Sequence, residues 1–465
     1  KYHATVENKG CAFIKNYYKE DGKLLHFSQV HKLVNFKCIF AFNSENHPNN
    51  QEGKTDGFVL SGHNMHTVVN IKSMFINNSA SGANDQISTL LISKVKRVIN
   101  IKLIFVGNNG AVVGAFKLLN IFSALNIRCK FQSNSAKIGS ALYGEQLHYL
   151  LNVECSFKTN KATAHQGGTI FYKNCVNATI WMISCNFTSN EAVTGAAFTV
   201  TSAENSLIII QDCNIQENLG RNHGSSIYLT LCGKIKLFSS LFTKNIAEMD
   251  TSIFYALSSE SLIFQKVCFF NNSVPGGIAL YASKINIIWS RNIIIEEYHF
   301  KASQRSSNLA FLTGDNIVVI EATLVTNDIS DQVLMMEILS NSSDLSKIKL
   351  VCPEFHLAKI SSKPQTTTQC NEQSQATCEA AKLYHLFYKC TACLSNSYVI
   401  VLERNYLADV RNERIVNDEA SAINVQCFPC PAGGKCNKGK VVALPNYWGT
   451  ARNFKVIFLK CLPQY

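Results

Sequence analysis

The sequence predicts an all-β chain: a right-handed, single-stranded parallel β-helix of about 12 coils followed by a small disulfide-rich module. Three observations predict it. A six-residue motif recurs at a nearly fixed period, apolar residues alternate two apart inside each copy, and closely spaced cysteines crowd the carboxy-terminal part of the chain.

The motif opens on a small or apolar residue, places a large apolar residue two positions on, and ends on Asn three positions later. Its cleanest copies run Cys11 to Asn16, Cys38 to Asn43, Cys129 to Asn134, Cys155 to Asn160 and Cys185 to Asn190. Looser copies start at Ser73, Leu103, Cys213, Ser240 and Cys268, the last with its Asn one place early at Asn272. Starts fall 26 to 35 residues apart, the period of a stacked repeat whose units bury their apolar faces against one another.

Each element follows from local chemistry. The alternation within the motif is that of a strand with one face buried, so Phe13, Phe40, Phe75, Phe105, Phe131, Phe157, Phe187 and Phe242 are expected to form one interior stack, with Ile215 in the same slot. The Asn column is Asn16, Asn43, Asn78, Asn108, Asn134, Asn160, Asn190, Asn218 and Asn245; Asn tolerates the left-handed conformation of a sharp bend, and its amide can bond to the Asn one coil above. Next comes a Gly signal, as in Gly139-Ser-Ala-Leu142 and Gly195-Ala-Ala-Phe198, where a positive φ or a close backbone approach is needed. A third apolar run, such as Leu207-Ile-Ile-Ile210, closes the unit.

The outward positions of the Phe strand change character along the chain. They read Ala12, Ile14, Ile39, Ala41, Met74, Ile76, Ile104 and Val106 in the first four coils, then Lys130, Gln132, Ser156, Lys158, Asn186, Thr188, Asn214 and Gln216. An apolar outer face several coils tall needs a cover: a protein partner or self-assembly, a missing amino-terminal segment, or the long insert between Cys38 and Ser73. Ile14, Ile39, Met74, Ile76, Ile104 and Val106 are therefore the candidate interface.

Residues 1–352 are assigned to the β-helix, with motif-bearing coils over 11–283 and degenerate terminal coils over 284–352, where Ala322-Thr-Leu324 keeps the phase. Residues 353–465 are assigned to the cysteine-rich module. There, Cys390-x-x-Cys393 and Cys427-x-x-Cys430 have the pairing of a zinc site, but the long gap and the lack of a supporting His favour disulfides.

The Phe-x-x-Asn and Gly-Gly-Ala-Ile-like elements resemble the repeats of polymorphic outer membrane proteins and their pectin-lyase-like relatives, over roughly residues 11–283. Cys427-Phe-Pro-Cys430-Pro-Ala-Gly-Gly-Lys-Cys436 followed by Pro445-Asn-Tyr-Trp448 resembles the EGF-like and ephrin-receptor-like modules of animal surface proteins. The resemblance implies a membrane anchor only downstream of such a module, beyond this chain.

Eighteen Cys in 465 residues and five Asn-x-Ser/Thr acceptors (Asn77, Asn177, Asn186, Asn271 and Asn341) point to a secreted or cell-surface glycoprotein. The chain begins without Met, signal peptide or cap, so it reads as a piece of a longer protein. The cysteine columns leave two readings open, a buried thiol ladder or vertical disulfides; Cys175 and Cys232, two coils apart, are too far from each other to bond. The net charge of +12 is spread thinly, which suits acidic glycans better than nucleic acid.

Pectin-lyase-like folds often act on polysaccharides. The nearest echoes of such a site are Asp212, Asn222-His223-Gly224 and Lys234-Ile-Lys236, which crowd into less than one coil, while inverting hydrolysis needs two carboxylates about 6.5–9.5 Å apart. No cofactor or metal motif is present. The expected function is an extracellular structural, adhesive or recognition protein, with a polysaccharide lyase or hydrolase as the alternative.

Overall fold

The computed structural model describes residues 4–18, 23–45, 58–80, 88–110, 112–164, 167–221, 224–248, 252–274, 280–291, 293–298, 306–325, 333–351, 356–370, 378–392, 397–401, 425–432, 434–437, 440–445, 447–452 and 455–460. Its regular elements among these residues are all strands. They build a parallel β-solenoid in which each turn lays a long strand, a three-residue strand and a two-residue strand on the turn before.

One turn illustrates the design. The long strand Ser88–Ile101 is followed by Ile104–Val106 and Asn109–Gly110. Ser88–Ile101 pairs in parallel with Phe58–Ile71 on one side and Phe116–Ile127 on the other. Single exposed residues with positive φ turn the chain between faces: Lys102 (55°) before the short strand and Lys94 (50°) within the long one. The two-residue strands form a nine-stranded sheet from Tyr17–Tyr18 to Ile246–Ala247, so nine turns are complete on all three faces where repeat counting gave about 12. Beyond them the parallel ladder continues on fewer faces through Ser306–Val325 and Val333–Val351. Ala322 pairs with Ile293 and Leu324 with Ile295, which keeps the predicted phase.

The sense of pairing changes after Val351. His356–Cys370 and Cys378–Ala392 pair antiparallel with each other, and Cys378–Ala392 also pairs antiparallel with Val333–Val351. The first strands of the region assigned to the cysteine-rich module therefore extend the solenoid's own sheet. Further on, three antiparallel hairpins follow: Ser397–Val401 with Val425–Pro429, Gly434–Asn437 with Lys440–Ala443, and Tyr447–Arg452 with Lys455–Lys460. A disulfide joins Cys430 to Cys436. Cys430 is thus committed to a disulfide, which removes it from the zinc reading.

The Phe column is the core's spine. Rings from Phe13 through Phe40, Phe75, Phe105, Phe131 and Phe157 to Phe187 stack at centroid spacings of 4.7–5.0 Å. Ile215 takes the slot after Phe187, and the stack resumes with Phe242 on Phe269. All are buried except Phe13, which lies in the first turn and is half-buried.

Phe269 corrects the phase of the tenth repeat. Leu241 pairs with Cys268 and Phe242 with Phe269, so the repeat starts at Val267 and its Asn272 is in step. Cys268 faces outward because it occupies the position of Leu241.

The Asn column is also corrected in one respect. The left-handed bend falls on the residue before each ladder Asn, as at Lys15, Phe42, Asn77, Ser133 and Thr159. The exposed residue makes the turn, which frees the Asn amide to point inward. Asn16, Asn43, Asn78, Asn108, Asn134, Asn160, Asn190, Asn218, Asn245 and Asn272 then form an unbroken side-chain ladder of 2.9–3.0 Å bonds.

A second buried ladder was not anticipated. Asn8, Asn35, Asn70, Asn100, Asn126 and Asn152 are linked Nδ2 to Oδ1 at 2.7–2.8 Å, and Asn152 ends the series by donating to Met182 Sδ and Tyr172 Oη. Each of these residues lies three places before a motif start, a signal present in the sequence.

Cys38, Cys129, Cys155, Cys185 and Cys213 are buried free thiols. The single S–H of each lies within reach of the carbonyl two residues before it and of a carbonyl of the preceding turn. Of the two readings left open, this is the thiol ladder. Cys175 and Cys232 are likewise free, with Ala203 of the intervening turn opposite Cys232.

Candidate functional site

Residues 33–36 set the parity of the long strand's second half. Leu33 and Asn35 are buried, so Val34 and Phe36 face out. Parallel in-register pairing repeats this arrangement turn after turn. Val34, Val69, Ile99, Leu125, Leu151, Trp181 and Ile209 form one outer column, and Phe36, Ile71, Ile101, Ile127, Val153 and Ile183 form a second beside it. At about 4.8 Å per turn the seven-turn column is roughly 30 Å tall. Most of its members are half-buried by their neighbours above and below, while Trp181 is 38% exposed.

An aromatic cluster sits on the edge of this wall. Phe122 is 50% and Tyr149 53% exposed, and their rings meet edge to face at 5.4 Å. Tyr149 lies two residues before Leu151, whose partner in the next turn is Trp181. Exposed Tyr, Trp and Phe on an apolar field are the residue types that anchor protein interfaces.

The predicted interface lies around the corner from the wall. Ile14 and Ile39 are exposed, and Met74, Ile76, Ile104 and Val106 are half-exposed. Ala41 is buried instead, because its small side chain sits in register between the larger Ile14 and Ile76. The insert considered as a cover includes 46–57, which lie outside the described residues. Between the two apolar faces runs the corner column Lys37, Lys72, Lys102 and Arg128, exposed and with positive φ. Arg128 pairs with Glu154 at 2.6 Å.

The third surface of chemical interest is an open groove of about 540 Å³ where the long strands bend, lined among others by His26, Ser61, His63, Ser93, Lys94 and Glu145. His26 Nδ1 lies 2.7 Å from Ser61 Oγ, and His63 Nδ1 lies 2.7 Å from Ser93 Oγ. Both serines are buried, and each hydroxyl is engaged by its imidazole. Glu145 accepts from Tyr143 Oη at 2.8 Å and from Asn174 Nδ2 at 3.2 Å. It stands two turns from Ser93 in register, about 10 Å, too far to orient either imidazole.

The polygalacturonase-like echoes are not brought together. Asp212 is an exposed corner residue that accepts from Gln211 Nε2. Lys234 is paired with Glu260 at 3.2 Å and lies opposite Leu207, five residues and about 16 Å along the strand from Asp212. Asn222 and His223 lie outside the described residues. Glu191 is held between Lys161 and Arg221, and Glu248 also meets Arg221.

Of the glycan acceptors, Asn77, Asn177 and Asn186 are exposed and Asn271 is half-buried. Asn186 projects outward between buried Cys185 and Phe187, as strand alternation requires, and accepts from Thr188 Oγ1 of its own acceptor triplet. The Asn341 side chain lies outside the described residues.

No family model, curated protein or solved structure matches the chain.

Proposed function

We propose that this chain is an extracellular structural, adhesive or recognition protein that docks a protein partner on its outer apolar wall. The observation that carries the reading is the seven-turn column from Val34 to Ile209, with exposed Trp181 in it and exposed Phe122 and Tyr149 beside it. An apolar field this tall, with aromatic anchors at mid-height, is a liability for a solitary soluble chain and an asset for an interface. The Cys430–Cys436 disulfide and the outward acceptor asparagines support an oxidising, glycosylating compartment. The likeness of the repeats to polymorphic outer membrane proteins, and of the last cysteines to EGF-like modules, supports a surface location. The corner lysines Lys37, Lys72 and Lys102 suit acidic glycans as a weaker second ligand.

The test is a photo-crosslinking amino acid placed at Trp181 or, as control, at Lys158 on the polar outer face, with the chain displayed on cells. The reading expects one discrete crosslinked protein from the Trp181 position, lost on Tyr149→Asp. Equal products from both positions would count against it.

A polysaccharide lyase or hydrolase remains the second reading, favoured by the groove that carries His63, Lys94 and Glu145. Release of unsaturated or reducing ends from polyuronates, abolished by Lys94→Ala and Glu145→Gln, would establish it.

A further inference from the structure

Tyr228, Tyr255 and Tyr281 hold the same outward slot in three consecutive long strands, Ile227–Phe238, Phe254–Gln265 and Leu280–Arg291, and pair in register. The rings of Tyr228 and Tyr255 stack at 5.1 Å and 14°, and those of Tyr255 and Tyr281 at 4.6 Å and 4°. Earlier members of the column are closed off: Tyr143 and Phe171 are buried against Val112 and Val113, and Thr199 is buried as well. The three tyrosines are half-exposed, so the column opens to solvent where it becomes phenolic.

Their place in the solenoid is as particular as their spacing. Among the described residues the two-residue sheet ends at Ile246–Ala247, the Phe stack at Phe269 and the side-chain Asn ladder at Asn272. The junction between the tenth and eleventh turns therefore lacks all three, and the Tyr255–Tyr281 stack spans it.

We propose that Tyr255 and Tyr281 form a modification site at which a haem peroxidase and hydrogen peroxide join the two rings as dityrosine. This does not rest on the wall as an interface. The peroxidase removes one electron and the phenolic proton from each tyrosine, and hydrogen peroxide takes up both electrons and both protons to leave two waters. The two phenoxyl radicals pair at a ring carbon ortho to each oxygen, a carbon–carbon bond forms, and the hydrogen on each of those carbons leaves as a proton that is restored to the oxygens. The product is two hydrogens lighter than the pair and carries both hydroxyls. Burial raises the phenols of Tyr228 and Tyr255, the second to about 12, so both meet the oxidant in neutral form. The stack holds the second ring beside the first radical, which makes the coupling intramolecular. It needs tilting of two half-exposed rings and leaves the strands paired. Tyr228 and Tyr281 stand two turns apart, about 9–10 Å, and cannot bond to each other without Tyr255 moving aside.

Trypsin separates the three tyrosines into peptides 222–234, 245–266 and 267–284, so the link is read directly by mass spectrometry. The full chain is treated with the peroxidase and peroxide, freed of N-glycans and digested. The expected main product joins 245–266 to 267–284 with the loss of two hydrogens. Tyr255→Phe, which keeps the stack, should lower the yield of links among these peptides about tenfold or more. Tyr281→Phe should divert the link to 222–234 and 245–266. The more exposed Tyr149, whose ring neighbour is Phe122, should remain unlinked to any of the three. The same link pattern from chain unfolded in urea, an unchanged yield from Tyr255→Phe, or links from Tyr149 as frequent as those from Tyr255 would each overturn the proposal.

Discussion

Asn160 accepts from both the backbone N–H and the side-chain Nδ2–H of Asn134, at 3.1 and 2.9 Å. It also donates to the Phe131 carbonyl and to Asn190 Oδ1, so one amide ties three consecutive turns. Its removal leaves buried donors and acceptors on both sides without partners. Asn160→Leu should cost about 3–5 kcal/mol, read as a lowered urea midpoint. A loss below about 1 kcal/mol would mean that the ladder contributes little beyond shape.

The Phe stack makes a graded prediction. Phe157 is fully buried between Phe131 and Phe187, so Phe157→Ala opens a cavity and should cost about 3–5 kcal/mol. Phe13 has one neighbour and is half-buried, and Phe13→Ala should cost less than about 2 kcal/mol. Equal losses at the two positions would contradict the assigned depth.

Burial pushes the Cys175 thiol up from 9.0 to about 11. The folded-state value lies above the unfolded one, so its contribution to stability is complete below about pH 9 and is lost as pH rises through about 11. That contribution is at most about 2–3 kcal/mol. Thermal melts between pH 8 and 11 should show the decline, and Cys175→Ala should flatten part of it. Tyr255, raised by burial to about 12, adds to the fall only above pH 10.

Glycan occupancy should follow exposure. Peptide mapping of material secreted from animal cells is expected to find sugar at Asn77, Asn177 and Asn186 more fully than at half-buried Asn271. Occupancy highest at Asn271 would contradict the packing of the tenth turn.

The motif's Cys, Phe and Asn columns were legible because their alternation and period coincide, so the interior slots could be assigned one by one. The tenth repeat misled because Cys268 imitates a motif start one residue late, and only its pairing with Leu241 reveals the slip. The outer wall was missed for a physical reason. In segments such as Val98-Ile99-Asn100-Ile101, binary patterning puts the two isoleucines inside and the Asn outside. The fold inverts this, because Asn100 is satisfied by its neighbours above and below while Lys102 turns the chain so that Leu103 and Phe105 continue inward. An Asn in register with identical neighbours is a core residue, and the sequence carried that signal three places before each of the first six motif starts.

The inverted parity of this strand is what creates the candidate binding surface, and thiol accessibility tests it most directly. Cysteines are introduced singly at Val98, Ile99, Asn100 and Ile101, and labelling of the folded chain by a water-soluble maleimide is quantified peptide by peptide. Rapid labelling at positions 99 and 101 with protection at 98 and 100 is the predicted result. Protection at 99 and 101 with rapid labelling at 100 in the monomeric chain would contradict the account.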